Sequence, residues 1–218
     1  MKTVFSSLLF SLFFIGTVSA QTPAPQTEPD FLTGKGLLFK FDGLANLGLN
    51  SFSGGVGLKY KIGEEAWLRH IVIVSTSRYN PKQSVGRETE YFNLNLGLST
   101  DYIIDMYKRN NLKPYYGAGF SLSTGLTDNY SKNPSGEYSN VANYYSAEIV
   151  GLVGIEYFVK DNISLSAEYQ LGAGFSYTEN KTEMTSKPSN EKTKTFSIPT
   201  RGFYLNTSSF GLVASFYL

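Results

Sequence analysis

Charged and amide side chains alternate with apolar ones along several segments of this 218-residue sequence. Acids and bases gathered on one face can form buried ion pairs, or they can line a polar pathway and set its ion selectivity. The residues that share this polar face are Lys40, Asp42, Lys59, Lys61, Arg69, Asp101, Glu148, Glu156, Glu168 and Gln170. Their role therefore depends on the elements that bring them together.

Catalytic chemistry has few candidates. His70 is the single histidine and cysteine is absent, which excludes a Cys/His zinc site, a thiol nucleophile and a disulfide framework. Ser75 and Ser77 share a predicted strand with His70, but at ~3.3 Å per residue they lie too far away to pair with it. A partner on another strand remains open, so a lipid-modifying enzyme is kept as an alternative. We predict no enzyme, no catalytic residue, no cofactor and no metal.

The charge balance argues against a nucleic-acid-binding protein. The chain has 19 Lys and Arg against 18 Asp and Glu, a net charge of +1. A nucleic-acid-binding protein usually carries a basic patch, so we predict no nucleic-acid partner.

The first 20 residues have the organisation of a secretory signal peptide. Lys2 precedes a mainly apolar run from Val4 to Ile15, and Val18-Ser19-Ala20 supplies small residues for cleavage. We predict a signal peptide over 1–20, a disordered periplasmic leader with three prolines over 21–34, and one domain over 35–218. Export without cysteine favours the envelope of a Gram-negative bacterium.

The elements that position the charges are predicted β-strands. Residues 163–178 alternate apolar and polar side chains over sixteen positions, a period that an amphipathic helix cannot have. Weaker versions of this pattern recur along the chain. Eight strands are predicted, at 36–43, 54–62, 67–77, 90–104, 114–126, 145–159, 163–178 and 203–218.

Short connections follow the second, fourth and sixth strands, and longer ones follow the others. This asymmetry with an even strand count predicts an all-β, transmembrane antiparallel up-and-down β-barrel of eight strands in the bacterial outer membrane. Aromatic girdles are expected at both ends of its outer face. Their predicted members are Tyr60, Trp67, Tyr102 and Tyr157 near the short turns, and Tyr145, Phe175, Tyr177 and Tyr204 near the long loops.

The interior of such a barrel is just wide enough to be filled by its own side chains. Buried charges must then be paired or hydrated. The sequence therefore favours a lumen plugged by an ion-pair network, with a narrow porin-like channel for ions or small solutes as the alternative. Glycines on the same face would make room for the long polar side chains.

The chain resembles the OmpA/OmpX-type family of eight-stranded outer-membrane barrels. The resemblance rests on Gly36-Leu-Leu-Phe-Lys-Phe-Asp42, Lys113-Pro-Tyr-Tyr-Gly-Ala-Gly-Phe120 and Ile163-Ser-Leu-Ser-Ala-Glu-Tyr169. It implies a single barrel domain without a peptidoglycan-binding domain, and a structural, adhesive or defensive role. It also implies that the barrel-assembly machinery reads the last strand, through Ser209, Gly211, Ala214, Phe216 and Leu218.

Surface partners are expected at two predicted extracellular loops. Loop 128–143 holds tyrosine, asparagine and serine residues suited to adaptable polar contacts. In the second, 179–202, the stretch Glu179 to Arg201 has five basic and three acidic residues; 5 − 3 = +2, which would favour anionic lipopolysaccharide. A merely solvated loop is the simpler interpretation of the same charges. The expected role is envelope integrity or surface interaction, with outer-membrane lipids and lipopolysaccharide as partners.

Overall fold

The computed structural model describes residues 34–42, 51–80, 88–107, 109–186, 189, 191–197, 199–206 and 210–218. The predicted signal peptide, residues 21–33 of the predicted leader and Ser209 lie outside these residues. No helix within the described ranges has the length and apolar character needed to cross a membrane.

Ten antiparallel β-strands make up the regular structure of the described residues. They are β1 (Lys35–Asp42), β2 (Ser51–Lys61), β3 (Ala66–Tyr79), β4 (Glu88–Asp105), β5 (Leu112–Asn133), β6 (Gly136–Lys160), β7 (Ile163–Ser186), β8 (Glu191–Phe196), β9 (Thr200–Asn206) and β10 (Phe210–Tyr217). Their high content of β-branched and aromatic residues suits a pleated, half-buried surface.

The strands form a closed ring. Each strand from β1 to β7 pairs with the next along the chain, and β10 pairs with both β7 and β1. The closing ladder between β1 and β10 runs from Gly36 opposite Tyr217 to Asp42 opposite Gly211. The predicted all-β antiparallel barrel is therefore confirmed.

The eighth position of the ring is built from three segments. Starting at the short-turn end, β10, β9 and β8 pair in turn with Ile163–Tyr169, Gly172–Thr178 and Lys181–Ser186 of β7. Asn206 and Phe210 are four residues apart, whereas their partners Gly172 and Tyr169 are three apart. The extra residue shifts the register between β9 and β10, as a β-bulge does.

This shift corrects one prediction about the last strand. Tyr204 was expected to share the outer face with Phe210, but it lines the lumen. Its neighbours Phe203 and Leu205 point outward instead and are 90% and 83% exposed. A one-residue shift moves every following side chain to the other face, so alternation could not be extended across the break.

The two faces of the wall differ as the alternation predicted. On β7, Ser164, Ser166 and Glu168 are buried inside the ring, while Leu165 and Leu171 are about half exposed outside it. The run Ile71-Val72-Ile73-Val74 of β3 is apolar at every position, and its faces differ in the same way, with Ile71 inside and Val72 outside. Other apolar side chains on the outer face are Leu58, Leu98, Phe120 and Ile149.

The long strands extend well beyond the predicted ends. Segments 128–143 and 179–202 were predicted as loops, but β5 and β6 continue to Asn133 and from Gly136, and β7 continues to Ser186. Their side chains are polar on both faces, so the alternation that reveals a half-buried strand is lost. Cross-strand pairs of Thr, Tyr, Ser and Asn nevertheless maintain the ladder.

The apolar core lies inside the ring, near the short turns. One cluster contains Trp67, Ile103, Tyr115, Leu152, Phe158 and Tyr217. Trp67 was predicted in the outer girdle, but it is 1% exposed and lies within this cluster. Its position follows from its register with Arg69, because residues two apart on a strand share a face.

Candidate functional site: the barrel lumen

Lys59 and Glu156 form the centre of a buried cluster near the short turns. Lys59 Nζ lies 3.4 Å from Glu156 Oε2 and donates to the Tyr217 hydroxyl at 3.0 Å. Glu156 Oε1 accepts hydrogen bonds from Tyr217 at 2.6 Å and Ser164 at 2.5 Å. The ammonium also lies 4.7 Å from the centre of the Trp67 ring, a cation–π contact that offsets part of its desolvation.

A second ion pair lies at the same end of the lumen. Lys113 Nζ is 2.6 Å from Asp105 Oδ2, which also accepts a hydrogen bond from Trp67 Nε1 at 2.5 Å. Both charged residues are buried. They were assigned to a turn in the sequence analysis and were therefore missed as members of the lumen network.

Arg69 is the centre of the next cluster along the barrel axis. Its guanidinium binds Glu168 through two nitrogens and Asp101 through Nε at 2.9 Å. Tyr115 donates to Glu168 at 2.6 Å, and Ser99 donates to Asp101 at 3.0 Å. Arg69, Asp101 and Glu168 are each at most 2% exposed. A buried ion pair is tolerable only when its remaining hydrogen bonds are satisfied in this way.

Lys40 connects the Arg69 cluster to the other half of the lumen. Its ammonium donates to Gln170 Oε1 at 3.1 Å and lies 3.4 Å from Asp42 Oδ1. Gln170 in turn donates to Glu168 at 3.2 Å. Polar contacts therefore run without interruption from Asp42 to Arg69.

Beyond Lys40 the lumen opens into a polar cavity of about 290 Å³. Hydroxyl and amide side chains supply most of its lining. We call it the upper cavity, and its polar lining includes Asp42, Ser53, Ser75, Asn95, Ser99, Ser121, Ser123, Ser146, Glu148, Gln170, Tyr204 and Asn206. Short serine side chains leave this half of the lumen unfilled.

Glycines on the lumen face create the space that the long side chains occupy. A Cβ added to Gly154 would lie 2.5 Å from the Tyr115 hydroxyl, and one added to Gly119 would collide with the Asp101 carboxylate. In the same way, Gly172 lies under the carboxylate of Glu148. The inward glycines of the sequence thus have a steric role.

The structure brings most of the predicted lumen residues together. Lys59, Arg69, Asp101, Glu156, Glu168, Lys40, Asp42 and Gln170 belong to the clusters above. Glu148 lies apart from them at the upper cavity, and Lys61 is half-buried at the short-turn end of β2. The aromatic members Trp67, Tyr115 and Tyr217 were missed, although their alternation with Arg69, Lys113 and Ser215 assigns them to the lumen face.

Four residues of the predicted assembly signal are described. Gly211 lies on the lumen face of β10, whereas Ala214 and Phe216 lie on its outer face and Leu218 follows the strand, 70% exposed. Phe216 contacts Phe39 of β1 edge to face, with 6.0 Å between ring centres. The role of these residues in assembly stays a prediction.

His70 lies on the outer face, opposite to Ser75 and Ser77. Its Nε2 is 2.8 Å from the Tyr60 hydroxyl, and its Nδ1 is 2.9 Å from Thr100 Oγ1. The two serines lie on the lumen face by alternation along β3, so neither can pair with this imidazole. Within the described ranges, no group of three or more His, Cys, Asp or Glu residues is arranged to hold a metal ion.

Known proteins show little similarity to this chain. No protein-family model and no curated protein matches the chain. Among solved structures, the chain is similar to the crystal structure of a major outer membrane protein from Thermus thermophilus, with 12% sequence identity and a TM-score of 0.47. The similarity covers 84% of this chain and 98% of that one. Likeness at this level carries no argument about function, which must come from the residues themselves.

Proposed function

We propose that this protein is an outer-membrane β-barrel whose lumen is closed by its own side chains, and that it acts in envelope integrity or surface interaction. The observation that carries the proposal is the series of buried ion pairs across the lumen, from Lys59 and Glu156 to Arg69 and Glu168. The proposal assigns these residues a structural role and no catalytic one.

The outer face of β7 supports a membrane location. Apolar and aromatic side chains occupy every outward position from Leu165 to Tyr177. These twelve steps span about 40 Å along the strand, and a tilt of about 40° reduces that to about 30 Å across the membrane, close to the ~25 Å apolar band of such barrels. Tyr102 and Tyr157 lie on the outer face near one end, and Tyr145 and Tyr177 near the other.

The buried clusters favour a closed barrel over the porin-like alternative. A conducting pathway needs charged groups that remain hydrated, because an ion exchanges its water shell for ligands as it passes. Here Arg69, Glu156 and Glu168 are almost fully buried and saturated with protein hydrogen bonds. Trp67 and Phe158 belong to an apolar cluster at the same end of the lumen, near the short turns.

Surface interaction is assigned to the extended hairpins. The β5–β6 hairpin carries the exposed pair Lys132 and Glu137, and the β7–β8 hairpin carries Glu183 and Lys194. Paired strands hold such polar groups at fixed positions, which lowers the entropy lost when a partner binds. We propose lipopolysaccharide and outer-membrane lipids as the surroundings of these hairpins, and the barrel-assembly machinery as the partner during insertion.

Planar-bilayer recording tests the closed lumen. Purified full-length protein should give no reproducible unitary conductance, because a lumen closed by buried ion pairs offers no hydrated path to an ion. Arg69→Ala should produce transient openings, since it leaves Glu168 and Asp101 without their cation. The matched control is Arg78→Ala, which removes an arginine whose side chain is 64% exposed in its pair with Glu90. Stable unitary currents from the unmodified protein would refute the closed lumen.

A further inference from the structure

The upper cavity has the lining of a small-molecule site. At about 290 Å³ it is near the lower limit of ordinary ligand pockets. Ser121, Ser123 and Ser146 lie on neighbouring strands, and Ser123 and Ser146 already contact each other at 2.6 Å. Hydroxyl groups both donate and accept, so such a lining suits a partner that carries several hydroxyl groups.

The charges of the upper cavity do not balance. Its lining contains two carboxylates, Asp42 and Glu148, and one ammonium, Lys40, which gives 1 − 2 = −1. Lys40 is directed to Asp42 and Gln170, and Asp42 also accepts from Ser53 at 3.3 Å. Glu148 thus carries the excess negative charge, with the amide of Asn206 as its neighbour.

Three acceptor atoms among the described cavity residues are buried without a hydrogen-bond partner, Asp42 Oδ1, Asn95 Oδ1 and Glu148 Oε1. Asp42 Oδ1 lies in the ion pair with Lys40, which leaves Asn95 Oδ1 and Glu148 Oε1 for a ligand. Leaving a buried acceptor unsatisfied costs about 1–3 kcal/mol, so each would gain from a donor in the cavity. The Glu148 side chain lies over Gly172 and lines the cavity.

The spacing of the two acceptors limits what can satisfy both. Glu148 pairs with Ser121 of β5, and Asn95 pairs with Gly125 of the same strand. These positions differ by four residues, or about 13 Å along the strand. A single metal ion cannot reach both side chains, whereas a molecule with donors at both ends can.

We propose that the upper cavity binds a small polyhydroxylated amine, of which an amino sugar is the model compound. Its ammonium would bind Glu148 and balance the excess charge, and its hydroxyl groups would donate to Asn95 and exchange hydrogen bonds with the serines. The upper cavity lies beyond the Arg69 cluster. If the cavity bound no amino sugar, the closed lumen of the proposed function would therefore be unaffected.

Two sugars of similar size that differ in charge test the proposal. The full-length protein, refolded in detergent micelles, is titrated with glucosamine and with glucose, and binding is followed by calorimetry and by NMR shifts. Glucosamine should bind at least about tenfold more tightly, as expected for a hydrogen bond to a charged group. Equal affinity, or no glucosamine binding up to about 10 mM, would overturn the proposal.

Two variants locate the site. Glu148→Gln should bring glucosamine to the affinity of glucose, whereas Glu183→Gln, an exposed acid of the β7–β8 hairpin, should change nothing. Asn95→Ala should weaken both sugars alike, and it keeps the test decisive if the Glu148 variant does not fold. Unchanged binding in both cavity variants would show that the sugar binds elsewhere and would overturn the assignment.

Discussion

The two halves of the lumen share strands β1 to β7, yet they are filled differently. Near the short turns, Trp67, Tyr115 and Tyr217 pack around long charged side chains. In the upper cavity, serines occupy the equivalent inward positions of β5 and β6. The wall of the barrel is similar in both halves. The length of the inward side chains therefore decides whether the lumen is filled at a given position along the barrel axis.

The comparison also separates two kinds of polar interior. Near the short turns the buried charges are paired and make further hydrogen bonds, which limits the penalty for burying them, although Asp105 Oδ1 has no hydrogen-bond partner. In the upper cavity the polar groups are small and mostly neutral, so water or a ligand can replace a protein partner. The first arrangement favours rigidity, and the second favours exchange with the solution.

Removing Arg69 should give the largest effect. Arg69→Ala leaves Glu168 and Asp101 buried without a cation, a change that typically destabilises a protein by about 3–5 kcal/mol. The free energy of unfolding can be measured by urea titration in lipid vesicles, with the single tryptophan, Trp67, as the fluorescent reporter inside the lumen.

The control for this prediction is Arg78→Ala. Arg78 and Glu90 are 64% and 54% exposed, and an exposed ion pair contributes about 0–1 kcal/mol. If the two arginine variants unfold at the same urea concentration, the clusters near the short turns do not stabilise the barrel.

One serine from each half of the lumen allows a direct comparison of their contributions to stability. Ser164→Ala removes a donor to the buried Glu156 carboxylate and should cost about 2 kcal/mol, as expected for a hydrogen bond to a charged group. Ser123→Ala removes only a contact between two hydroxyls at the cavity and should cost less than about 1 kcal/mol. The same urea titration measures the free energy of unfolding of both variants. A larger decrease for Ser123→Ala would mean that the upper cavity, and not the clusters near the short turns, contributes more to stability.

The smallest effect is expected outside the lumen, at the β7–β8 hairpin. A hydrogen bond and the positive charge of Lys194, 2.8 Å away, lower the pKa of Glu183 below its usual 4.5. The stabilising contact is therefore fully present above the ordinary carboxyl pKa and is lost as the pH falls through the lowered one. NMR titration of the Glu183 carboxyl should give a higher midpoint in Lys194→Ala. An unchanged midpoint would mean that the two groups do not pair in solution.

The barrel could be predicted from the sequence because apolar side chains occupy one face of each strand. That alternation predicts the lumen face for Lys59, Arg69, Glu156 and Glu168, and all four side chains are buried. It could not give the ends of β5 to β7, since polar side chains occupy both faces of the extended hairpins and the pattern disappears.

The remaining errors have local physical causes. Trp67 was placed outside because aromatic residues are common at membrane interfaces, although its register with Arg69 required the opposite face. Tyr204 was misplaced because the extra residue between β9 and β10 cannot be read from alternation. Which lumen residues bind one another depends on contacts across the ring, and a single sequence carries no signal for these.

The ladder between β1 and β10 has a consequence for how the molecule forms. It joins residues from nearly opposite ends of the described chain and contains only seven paired positions. By contrast, β5 pairs with β6 over its whole length, and one tight turn connects the two strands. Loop-closure entropy is greatest for the most distant contacts, and these are generally the slowest to form. We therefore expect the β5–β6 hairpin to act as an early nucleus and the β1–β10 seam to be the last contact made during folding.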